Sequence, residues 1–63
     1  MATAINTFWE LGRKAAEARN ADDESTAADI STQFRTEQTK EPEPHRRAAN
    51  DAYHRAFYLY RKI

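Results

Sequence analysis

From Arg46 to Ile63 the chain reads RRAANDAYHRAFYLYRKI, and the spacing of its apolar side chains decides the fold. On a helical wheel Ala48, Ala49, Ala52, Tyr53, Ala56, Phe57, Leu59, Tyr60 and Ile63 fall in one arc of about 180°, opposite Arg47, Asp51, His54, Arg55, Tyr58, Arg61 and Lys62. Glu43 and Pro44 stand just upstream, where an N-cap and a first-turn residue belong. A proline there gives up only an N–H that would be unpaired anyway. The spacing predicts an amphipathic helix over about 43–62.

The same pattern recurs in the first third. Between Thr3 and Asn20, one arc of about 180° holds Ala4, Ile5, Phe8, Trp9, Leu11, Gly12, Ala15, Ala16 and Ala18, with Arg19 the one charged intruder. Asn6, Thr7, Glu10, Arg13, Lys14 and Glu17 occupy the other side. Glu10 with Lys14 and Arg13 with Glu17 are opposite charges four apart, each adding a few tenths of a kcal/mol. A helix over about 3–20 follows, with Thr3 or Thr7 as its cap and Arg19 suited to the negative end of its dipole. An apolar face this wide exceeds what a two-helix contact buries, so each helix is expected to touch more than one neighbour.

The middle is written less plainly. Thr26-Ala-Ala-Asp29 resembles a capping box, and Ala27, Ile30 and Phe34 recur at helical spacing over only about 60°. A shorter helix over about 26–39 is expected. It lies between a turn at Asn20–Ser25 (NADDES) and a break at Lys40–Pro44 (KEPEP), where the residue before each proline is pushed out of the α region. With one Gly and no β-branched runs, the expected fold is all-α: a hairpin of the two long helices plus a middle helix, in a single domain over 1–63.

A chain of 63 residues buries about 60% of its unfolded surface, which leaves a thin stability margin. It contains no Cys, so disulfides and thiolate metal sites cannot help, and tight helix packing or oligomerisation must. The N-terminal stretch MATAINTFWELGRK lacks the basic head and apolar run of a signal peptide, and no apolar run is long enough to span a bilayer. A cytoplasmic protein without a membrane partner is expected. Ten basic and ten acidic side chains cancel. Residues 21–41 nonetheless carry −4 through Asp22, Asp23, Glu24, Asp29, Glu37 and Glu41 against Arg35 and Lys40, whereas residues 42–63 carry +3. The basic last third can pair with the acidic middle of its own chain or of a neighbour.

The catalytic kit is sparse. His45 and His54 lie on opposite sides of the last helix and cannot share a metal there. Asp51 and His54, three apart, have the spacing for a metal or an acid–base pair but equally that of an ordinary exposed pair. No phosphate-cradling Gly-rich loop, His-Glu-x-x-His or nucleophile elbow occurs. No enzyme activity, cofactor or metal is therefore expected.

Binding features are stronger. Tyr58 falls in the polar arc, with His54 and Arg55 one turn before it and Arg61 and Lys62 after it, an exposed aromatic among cations suited to a protein hot spot, an acidic partner or stacked nucleotide bases. These residues and Arg47 are the partner-binding candidates; the plainer alternative is a Tyr covered by its neighbours' aliphatic stems. Trp9 lies at the edge of its arc, where it reads as a binding hot spot or, as the lone Trp of so short a chain, as core; on the core reading Trp9→Ala should unfold the protein. The core and self-association candidates are Ile5, Phe8, Trp9, Ala16, Ala49, Ala52, Tyr53, Ala56, Phe57, Tyr60 and Ile63.

These features point first to a homodimeric helical adaptor or modulator acting by protein–protein binding. A second reading is a helix-turn-helix-like DNA-binding regulator with Arg46, Arg47, Arg55, Arg61 and Lys62 on phosphates. The acidic, proline-containing KEPEP connection lacks the tight glycine turn of that motif. The stretches Gly12-Arg-Lys-Ala-Ala-Glu-Ala18 and Ala52-Tyr-His-Arg-Ala-Phe-Tyr-Leu-Tyr-Arg61 resemble small accessory proteins from the early region of lambda-like phages, between the recombination and excision genes. That resemblance implies a modulator of the lysis–lysogeny choice or of host regulation.

Overall fold

The computed structural model describes residues 4–62; the candidate cap Thr3 and the candidate core residue Ile63 lie outside them. The chain forms three helices, α1 (Ile5–Asn20), α2 (Glu24–Thr39) and α3 (Glu43–Tyr60), with no strand among the described residues. The all-α expectation and the close pairing of the first and last helices both hold. α1 packs on α3 more extensively than on α2, and α2 touches α3 least.

The helix ends differ from the sequence expectation in instructive ways. Ala4 is the N-cap of α1 and makes no side-chain cap bond; Thr7 sits inside the first turn and donates its backbone N–H to the Ala4 carbonyl at 2.9 Å, so it is not the cap. At the other end Asp22 adopts a left-handed φ of 58°. Asp22 N–H reaches the Arg19 carbonyl (3.0 Å) and Asp23 N–H the Ala18 carbonyl (2.8 Å). This is a Schellman closure in which Asp takes the place Gly usually fills, an exchange its short polar side chain tolerates.

The next residue starts α2. Asp23 accepts the Thr26 backbone N–H on Oδ1 (3.1 Å) and the Thr26 hydroxyl on Oδ2 (2.6 Å). Glu24 and Ser25 are thus helical rather than part of the turn, and Thr26 is the capped residue, not the cap: with Asp23 at the N-cap, Thr26 is the third helical residue, whose amide and hydroxyl the Asp23 carboxylate takes up. α3 begins at Glu43 as expected, but its N-cap is Pro42 rather than Glu43, and Glu43 and Pro44 lie in the first turn.

The core has two layers. Between α1 and α3 the buried side chains are small: Gly12 and Ala16 on α1, and Ala49, Ala52 and Ala56 on α3. A Cβ on Gly12 would lie 2.2 Å from the Tyr53 carbonyl oxygen and 3.0 Å from Ala56 Cβ. α2 then lays Ala27, Ile30 and Phe34 over Phe8, Leu11, Ala15, Ala18 and Tyr53. Phe34 meets Phe8 edge-on (5.9 Å between ring centres) and lies against Tyr53 at 4.0 Å. The narrow apolar stripe of the middle segment is therefore enough, because one Phe contacts both neighbours.

Asn20 ties the upper ends together. Its Nδ2 donates to the Tyr60 carbonyl (2.9 Å), and its Oδ1 accepts from Arg61 Nη1 and Lys62 N–H, both at 2.7 Å. At the lower end Glu41, in the turn before α3, is 3% exposed with no hydrogen-bond partner on Oε1. Its own carbonyl accepts Arg46 Nε at 2.7 Å. Among the described residues no helix is long and apolar enough to cross a membrane.

Candidate interaction surface

Local charge pairing decides which cations are free to act. The salt bridges Glu10–Arg13, Arg13–Glu17, Glu37–Lys40, Glu43–Arg46 and Asp51–Arg55 all join residues three or four apart. Glu10 pairs with Arg13 rather than with Lys14. The Arg13 hydrogen bond holds the exposed Glu10 carboxyl below its ordinary range and raises the Arg13 guanidinium. None of these bridges joins the acidic middle to the basic last third, and Asp22, Glu24 and Asp29 face solvent.

Because α2 meets α3 mainly through Phe34 and Tyr53, the two helices stand apart above that contact and leave a groove of about 290 Å³. Ala15 and Ala27 line it from α1 and α2, and Tyr53 and Phe57 contribute rings. Arg19 from α1, Ser31 from α2 and His54 and Tyr58 from α3 complete the lining. Tyr58 is 74% exposed, with its ring edge-on to Phe57 at 5.8 Å. Burial pushes the Tyr53 phenol up from its ordinary range, opposed by the positive charges of Arg19 and Arg35 and by a hydrogen bond with the Ser31 side chain. His54 Nδ1 donates to the Asn50 carbonyl at 2.8 Å, which leaves Nε2 as its outward nitrogen, and its ring meets Tyr53 and Phe34 edge-on.

The sequence candidates are partly assembled here. Tyr58 and His54 share the groove. Arg55 is beside them on α3 but is held by Asp51 at 3.0 Å, and Arg61 is turned onto Asn20. Lys62 is exposed at the upper end. Arg47 lies with Glu43 and Pro44 near the start of α3, eleven residues and about 16 Å of helix from Tyr58, so it is not part of this surface. Asp51 and His54 do not converge, since each is engaged elsewhere. Of the five cations that would read DNA phosphates, Arg46, Arg55 and Arg61 hold intramolecular partners.

Sequence reasoning missed Arg19 and Ser31, which line the groove, and Arg35, one helical turn beyond Ser31 on the same face of α2. The signal was present in Arg19, the one charge inside the apolar arc of α1, placed where that arc meets the open groove.

The other flank carries a second apolar surface. Trp9 is half-buried and meets Tyr60 edge-on at 6.5 Å. Ile5, one turn earlier on the same side of α1, is 45% exposed, Tyr60 38% and Leu59 65%. Leu59 lies about 200° round α3 from Phe57 and so faces away from the groove. Ile5, Trp9 and Tyr60 thus stand at the edge of the core rather than inside it, whereas Phe8, Ala16, Ala49, Ala52, Tyr53 and Ala56 are buried as expected and Phe57 packs against them half-buried.

Compared with known proteins, the chain matches no family model, no curated protein and no solved structure. Its surfaces are the ground on which a function can be argued.

Proposed function

We propose that the chain is a small, non-enzymatic helical interaction protein that forms a homodimer and modulates another protein by binding it. The observation that carries this reading is the apolar surface left over after α2 has docked. Ile5, Leu59 and Tyr60 remain exposed on the α1–α3 flank, and Tyr58 on the groove side. Large apolar side chains gathered on one flank mark contact sites more often than chance exposure. A chain this short gains the stability it otherwise lacks by burying them against a copy of itself.

The α1–α3 flank suits a two-fold contact. Leu59 and Tyr60 stand near one end of the flank and Ile5 toward the other, so an antiparallel copy sets the exposed end of each α3 against the start of the partner's α1, a self-complementary arrangement. The groove is then free for a different protein. A role as a modulator of phage development or of host regulation, in the cytoplasm of the host, is the setting that the resemblance to accessory proteins of lambda-like phages suggests.

The test is mass in solution. Sedimentation equilibrium is expected to give a dimer for the wild type and a folded monomer for Leu59→Asp. A wild type that stays monomeric at every concentration contradicts the reading.

A further inference from the structure

We infer that the groove between α2 and α3 takes an acidic amphipathic segment of a partner protein, with an apolar side chain seated against Tyr53 and Phe57 and carboxylates meeting Arg19 and Arg35. This rests on the reading above that the chain acts by binding protein.

The charge argument comes first. Among the described residues Arg13, Lys40, Arg46 and Arg55 are each held by a neighbouring carboxylate. Arg19 lines the groove and Arg35 lies one turn beyond Ser31 on the same face of α2; both are exposed and stand in no such pair. A guanidinium lining the groove and a second one turn past its end, neither held in a salt bridge, form a site that a carboxylate completes, since guanidinium and carboxylate pair through two parallel hydrogen bonds. A second copy of α3 is a poor occupant: residues 42–63 carry a net +3 and would meet Arg19 with charge of the same sign.

Size and shape narrow the class. The groove runs from Ala27 to Ser31 on α2 and from Tyr53 to Tyr58 on α3, about one and a half helical turns. Its volume of about 290 Å³ sits at the lower end for a ligand pocket, roughly 300–1,000 Å³. One or two apolar side chains fill it, and Tyr58, standing largely free at the rim, closes over them as an aromatic anchor. Duplex DNA fits less well. Its charges recur about every 1.7 Å, and the exposed Asp22, Asp23 and Glu24 of the α1–α2 turn stand beside Arg19, where a continuous polyanion would meet them. A short acidic segment can end before that corner.

The experiment is a fluorescence-anisotropy titration with three probes in one buffer: a stapled amphipathic helix about three turns long with leucines on one face and glutamates beside them, the same helix with lysine for each glutamate, and a short duplex. The acidic helix is expected to bind at least about tenfold more tightly than the lysine helix, with an affinity that falls as salt rises. Arg19→Glu, at an exposed position, should lower that affinity by about tenfold or more and raise affinity for the lysine helix. Ser31→Trp, which fills the groove without changing charge, should abolish binding of the acidic helix, with circular dichroism confirming that both variants are folded. Equal binding of the two helices, tighter binding of the duplex, or no binding of the acidic helix each overturns the inference. Leu59→Asp sedimentation run in parallel separates this failure from a failure of the interaction reading: a dimer that Leu59→Asp dissociates keeps that reading in place when the groove does not bind.

Discussion

The backbone of Tyr53 touches the space where Gly12 lacks a side chain: a Cβ added at Gly12 would sit 2.2 Å from the Tyr53 carbonyl oxygen. The single glycine of the chain is therefore the point at which α1 and α3 approach closely enough for backbone to meet side-chain space. The buried alanines on either side of it continue the same close approach.

Gly12→Ala tests this contact through its sign. In an isolated helix the change would stabilise by about 1 kcal/mol. Here the added methyl meets a carbonyl that cannot move without shifting α3, and overpacking of this kind costs about 1–3 kcal/mol or more. Chemical denaturation should show a net loss of stability. A more stable variant would mean the helices do not approach as described.

Phe8 and Trp9 are neighbours with different fates. Phe8 is 0% exposed and packs on Phe34, so Phe8→Ala should cost about 3–5 kcal/mol, as much as a domain of this size possesses, and abolish the cooperative transition. Trp9 is only half-buried against Tyr60, so Trp9→Ala should stay folded with a lower melting temperature. This revises the expectation from sequence that losing the lone Trp unfolds the chain. Thermal melts of the two variants followed by far-ultraviolet circular dichroism check it, and equal damage in both would contradict the packing.

Asp23 gives the protein an acid limit. Its hydrogen bonds from the Thr26 hydroxyl and backbone N–H hold its carboxyl below the ordinary aspartate range. The stability this cap contributes is therefore fully present above that ordinary range and is lost as pH falls through the lowered value. The melting-temperature difference between wild type and Asp23→Ala should be constant near neutral pH and shrink toward zero in acid. A difference independent of pH would show that the carboxylate is not the cap.

The legible part of the fold was its period. Half-cylinder apolar faces placed the first and last helices to within two residues of where they are, and Ala27, Ile30 and Phe34 marked the face by which the middle helix docks. Helix ends were harder, because Asp22, Asp23 and Thr26 are all plausible turn or cap residues, and their tertiary geometry selects which one caps. Glu41 illustrates the other limit: nothing in KEPEP distinguishes a solvated glutamate from one the α2–α3 turn buries. Of the candidate surface, Tyr58 and His54 were readable as oddities on a polar arc. Arg19 and Arg35 belong to different helices, and only the gap between α2 and α3 puts them beside Tyr53.

The spare apolar flank is the centre of the account, and dissociation of a dimer measures it most directly. Sedimentation equilibrium over a wide concentration range is expected to show wild type as a dimer, Leu59→Asp as a folded monomer, and Tyr58→Ala, on the groove side, still a dimer. A wild type monomeric throughout, or a dimer indifferent to Leu59→Asp, would contradict it.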